Sequence, residues 1–104
     1  MLLSIHGVKE SRKSKEMPDE MANAAFLLLA DYLNEHGFLS TQRLARYLYE
    51  EMNIAHNSFR RYRSRGSWHC VVGGCYSVAL TGDFFVLFTF QHQRRDYSVT
   101  LFYM

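Results

Sequence analysis

The chain has 104 residues, enough for one domain with one core. Hydrophobic residues make up 48% and aromatics 15%, which excludes a disordered chain. Twelve basic and ten acidic residues leave a formal charge of +2, so charge alone points neither to nucleic acid nor to a membrane surface.

Residues Met1 to Val8 are mildly apolar and suit a short edge strand, and Lys9 to Glu16 reads as a charged linker. A helix is expected to open near Met17. Pro18 fits its first turn, and Asp19 and Glu20 suit the positive end of the helix dipole. Ala22 to Asn34 is apolar on nearly every side, as in a mostly buried helix, and Gly37 suits the residue that ends it. Ser40 or Thr41 can cap a second helix. Leu44, Leu48 and Met52 recur every four residues there, with Arg43, Arg46 and Glu50 on the wet side. This helix fades between Asn53 and Asn57.

From Trp68 onward the pattern is that of strands: Trp68–Gly73, Cys75–Thr81, Phe84–Phe90 and Tyr97–Tyr103, rich in Val, Phe, Tyr and Thr. Gly82-Asp83 and the polar stretch Gln91–Asp96 separate the last three. In the first, Trp68, Cys70 and Val72 share one face and His69 and Val71 the other. Two helices followed by a run of strands predict an α+β fold, the helices packed on an antiparallel sheet. The longest apolar run, Ala24 to Ala30, is far short of the ~20 residues of a membrane span. Leu2-Leu3 is too short for a signal peptide. Cys70 and Cys75 read best as free thiols in a reducing cytosol, so the protein is expected to be soluble and intracellular.

Trp68-His69-Cys70-Val71-Val72-Gly73 behind two helices resembles the signature strand of the small homodimeric dynein light chains. Met17-Pro18-Asp19-Glu20-Met21 is similar to the start of that family's first helix. Phe85-Val86-Leu87-Phe88 and Val99-Thr100-Leu101-Phe102 are similar to its last two strands. The resemblance covers roughly residues 17 to 103, with residues 1 to 16 as an N-terminal edge strand and linker.

It implies a non-enzymatic adaptor without metal or cofactor, a strand-swapped homodimer of five-stranded sheets. The strand Cys75–Thr81 would cross to the partner copy. Trp68, His69, Val71, Val78 and Leu80 would form the dimer interface. The groove for an extended peptide would be lined by Cys75, Tyr76, Ser77, Val78, Ala79, Leu80, Thr81, Phe85, Leu87 and Thr89. Its peptide would pair by β-augmentation. Dynein intermediate chains, or other proteins bound through short linear segments, would be the partners. The location would be cytoplasmic and microtubule-associated, or axonemal.

This chain departs from that pattern in several places. The connection between Met52 and Trp68 and the stretch Gln91–Asp96 are longer. Gly73-Gly74-Cys75 replaces a Gly-Arg-Asn bend, and Thr41-Gln42 replaces a Glu-Lys pair. Ala79, Thr81-Gly82, Leu87 and Thr89 stand where the family often has Tyr and His.

The residues themselves offer other chemistries. Cys70 beside His69 could suggest a nucleophile, but no oxyanion turn or acidic partner accompanies it. His69, Cys70, Cys75 and His92 make a poor zinc set, because neighbours on one strand point to opposite faces. Phe59-Arg60-Arg61-Tyr62-Arg63-Ser64-Arg65 is the best rival signal: arginines interleaved with aromatics can bind phosphate and stack on bases, giving a small nucleic-acid module as the alternative. A structural axonemal or cortical dimer without peptide exchange is a second alternative.

Overall fold

The apolar pattern of the helices and the alternation of the strands meet in one shared core. The structure, a computed structural model, describes residues 7–57, 66–74 and 84–104. In chain order these form β1 (Lys9–Lys13), α1 (Asp19–His36), α2 (Thr41–His56), β2 (Trp68–Gly73), β3 (Phe85–His92) and β4 (Arg95–Tyr103). The strands make one antiparallel sheet in the order β1-β3-β4-β2. The fold is α+β, as expected.

α1 stops and α2 starts where local chemistry says they should. Gly37 takes a positive φ of 70° and its N–H donates to the Leu33 carbonyl, closing α1. The Ser40 hydroxyl accepts from the Arg43 N–H at 3.1 Å and caps α2. The four-residue repeat continues to the end of α2: Leu44, Leu48, Met52 and His56 are all buried. The helix ends at His56, within the expected window of Asn53 to Asn57.

One face of the sheet joins the helices in the core. Val86, Phe88 and Phe90 of β3, Val99 and Leu101 of β4, and Trp68 of β2 pack with Met21, Ala25, Leu29, Leu33, Leu44, Leu48 and Met52. Phe26 of α1 meets Phe88 with ring centroids 6.1 Å apart. Phe38, between the helices, sits edge-on to Phe90 at 5.2 Å. Strand alternation therefore points His69, Val71, Phe85, Leu87, Thr89, Ser98, Thr100 and Phe102 to the other face.

Two expectations shift. The edge strand is Lys9–Lys13, the segment that reads as a linker, while Val8 and Met17 on either side of it are buried in the core. Its charges are compatible with strand pairing because an edge strand uses its backbone and leaves its side chains in water. The stretch Gln91–Asp96 is mostly strand: β3 runs to His92, β4 starts at Arg95, and only Gln93 and Arg94 turn. Both turn residues have positive φ, 50° and 66°, as a two-residue type I′ hairpin requires.

Candidate functional site

Among the described residues the sheet has two outer edges, and they differ in chemistry. The β1 edge carries Lys9, Glu10, Arg12 and Lys13, and its register shifts between Glu10 and Arg12. Charges and irregular register are the devices that keep an edge from pairing with another chain. The β2 edge, Trp68–Gly73, bears no acidic residue, lysine or arginine, and its register against β4 is unbroken from Trp68↔Tyr103 to Gly73↔Ser98.

Which backbone groups of β2 face outward follows from the ladder. Ser67 and Met104 exchange both of their backbone hydrogen bonds, each at 3.0 Å. In an antiparallel ladder such pairs recur at every second residue, so Ser67, His69, Val71 and Gly73 face β4. Trp68, Cys70 and Val72 turn their N–H and C=O groups to the open side. At Trp68 that side is already occupied. Its N–H donates to Asn53 Oδ1 at 2.7 Å, and its carbonyl accepts from Asn53 Nδ2 at 3.1 Å. The same amide also donates to the Tyr49 carbonyl at 2.8 Å, which anchors it within α2. The outward groups of Cys70 and Val72 have no hydrogen-bond partner among the described residues.

Beside this edge lies the sheet face away from the helices. Val71 is 47% exposed there. His69 stacks on Phe102 with centroids 5.4 Å apart, and its Nε2 lies 3.3 Å from Ser67 Oγ. Further across, Leu87 and Thr89 are half-buried. Phe85 is buried under the Arg12 guanidinium, which lies 5.3 Å from the ring centre. At the far end, Lys9, Thr89, Gln91, Asp96 and Ser98 line an open cleft of about 450 Å³.

Of the residues singled out on sequence, the structure gathers His69, Val71, Phe85, Leu87 and Thr89 on one face. Trp68 lies elsewhere. It is fully buried under α2, where its indole Nε1 donates to His56 Nδ1 at 3.1 Å, so it serves the core and not the outer face. Cys70 is on the core side too, and burial pushes its thiol up to about 12. A thiol so hard to ionise is a poor nucleophile. Cys75–Thr81, with Val78 and Leu80, lies outside the described residues, as does the basic-aromatic run 59–65. Sequence reasoning missed Asn53. The signal was a small amide beside the apolar stripe of α2, one position after Met52.

Among the described residues no group of His, Cys, Asp and Glu is placed to hold a metal ion. No helix among them is long and apolar enough to cross a membrane. No protein-family model matches the chain, and no curated protein matches it.

Proposed function

We propose that this chain is a non-enzymatic adaptor of the dynein light chain type, a homodimer that holds short extended segments of other proteins by adding them to its sheet. The observation that carries the reading is the β2 edge: an uncharged strand in even register, with outward hydrogen-bonding groups, beside a face that exposes Val71. An edge of this kind left in water is an aggregation liability, and a specific partner strand removes it. In this reading Cys75–Thr81 of each copy joins the sheet of the other, and the outer faces pack around the two-fold axis. Partners are proteins bound through extended segments, dynein intermediate chains among them, in the microtubule-associated cytoplasm or the axoneme.

Peptide choice belongs to the side chains. Leu87 and Thr89 offer an apolar and small lining on the outer face, and Thr41 and Gln42, both exposed at the start of α2, offer no charge. A buried glutamine at the centre of a peptide would lose hydrogen-bond partners there, at roughly 1–3 kcal/mol. Calorimetry with two peptides differing only at that residue tests this. The expected outcome is tighter binding of the bulky apolar version, by about tenfold or more. Tighter binding of the Gln version overturns the assignment of the groove. Binding of neither, with the dimer intact, favours a purely structural dimer. A complex with nucleic acid that weakens steeply with salt favours the basic run 59–65 instead.

A further inference from the structure

Asn53 does on β2 what a neighbouring strand would do. A paired strand gives a residue one acceptor for its N–H and one donor for its C=O. The Asn53 side chain gives Trp68 both, at 2.7 and 3.1 Å, from a helix that cannot itself continue the sheet. Its second amide hydrogen is held by the Tyr49 carbonyl, so the side-chain oxygen and both amide hydrogens are engaged at once. Among the described residues the edge is thus closed at its first residue and open at the third and fifth.

We infer that Asn53 is a strand stop: it closes the β2 edge at Trp68 and so sets the extent of the strand that a second copy of this chain adds there, which pairs at Cys70 and Val72 and no further. The inference rests on the proposed strand addition. The occupant is a second copy because the open edge is continuous with the outer face that exposes Val71 and His69 beside Phe102. Neither the edge nor that face carries a charge from β2 through Gly74, or from β4 between Tyr97 and Tyr103, and the Arg12 guanidinium of β1 lies further across the face, over Phe85. Two copies related by a two-fold axis cover edge and face together, each using the same patch.

Residue-resolved amide hydrogen exchange on the full chain tests this, at concentrations below and above the association midpoint found by sedimentation. In the wild type, the Cys70 and Val72 amides should slow at least tenfold on concentration, while the Trp68 amide exchanges slowly at both. In Asn53→Ala the Trp68 amide should exchange at least tenfold faster in dilute protein and become concentration-dependent like its neighbours, because the added strand now runs past Cys70. Asn53→Asp, which keeps the acceptor for the Trp68 N–H, should restore the slow, concentration-independent Trp68 amide. A residue that only braced α2 against β2 would change amides throughout the domain and leave Trp68 indifferent to concentration. That result in Asn53→Ala overturns the strand stop. Cys70 and Val72 amides that ignore concentration in the wild type overturn the strand addition beneath it.

Discussion

Cys70 shows how one position on a strand decides its chemistry. Alternation places it with Trp68 and Val72 on the helix side, and it packs against the core. Burial then moves its thiol from an ordinary value near 9 to about 12. The folded value lies above the unfolded one. The stability linked to this group is therefore complete below pH 9 and is lost as pH rises towards 12. Relative to Cys70→Ala, the wild type should lose about 1.4 kcal/mol per pH unit within that window. Denaturant midpoints of both proteins at pH 7, 9 and 10.5 measure it, and a constant difference between them overturns the assignment. The thiolate population at neutral pH should be lower by about a thousandfold than for an ordinary cysteine, so alkylation of Cys70 in the folded protein should be correspondingly slow. The neighbouring residue, His69, has a different fate for the same reason: one step along the strand turns it to the outer face.

At the scale of elements, the sequence was most legible where periodicity is strong. The four-residue stripe of α2, the Ser40 cap, the Gly37 stop and the strand Trp68–Gly73 all appear as their residues suggest. Two elements were hidden. β1 has no apolar alternation to betray it, because it is held by backbone pairing to β3 and by Ser14, whose N–H donates to the Phe85 carbonyl and whose hydroxyl accepts from the Phe85 N–H. The hairpin tip was hidden because Gln93 and Arg94 are not turn residues. A type I′ turn needs positive φ at both, which Asn-Gly supplies with least strain. A left-handed conformation costs a residue with a Cβ roughly 1–2 kcal/mol. Replacing the pair through Gln93→Asn and Arg94→Gly should therefore stabilise the domain by about 1–2 kcal/mol and raise its thermal midpoint by several degrees. Calorimetric melting of the double variant measures this. An unchanged or lower midpoint would mean that the tip is held by side-chain contacts that outweigh its backbone strain, with the Gln91–Asp96 bond behind the turn the first to examine.

For the whole molecule, the asymmetry between the two sheet edges matters more than any pocket. The β1 edge carries charges and a register shift that disfavour pairing, while among the described residues the β2 edge is closed at Trp68 alone. The sequence announced the strand but not which side of it was covered, since Asn53 lies fifteen residues away and only the fold brings it to Trp68. If two copies meet through the outer faces, His69 stands close to the symmetry axis, stacked on Phe102. A lysine there would place two ammonium groups in a desolvated contact, at several kcal/mol for each unpaired charge. His69→Lys should raise the dimer dissociation constant at neutral pH by at least about a hundredfold, corresponding to ~2.7 kcal/mol. The fold itself should survive, because residue 69 lies outside the core, its ring against Phe102 at 5.4 Å and Tyr49 of α2 at 6.3 Å, so far-UV circular dichroism of the variant should match the wild type. Sedimentation at micromolar concentration then separates the outcomes. A dimeric wild type with a monomeric, folded His69→Lys supports the two-fold face. A His69→Lys that remains dimeric moves the interface away from this face, and a wild type that is monomeric at that concentration removes the swapped-strand dimer altogether.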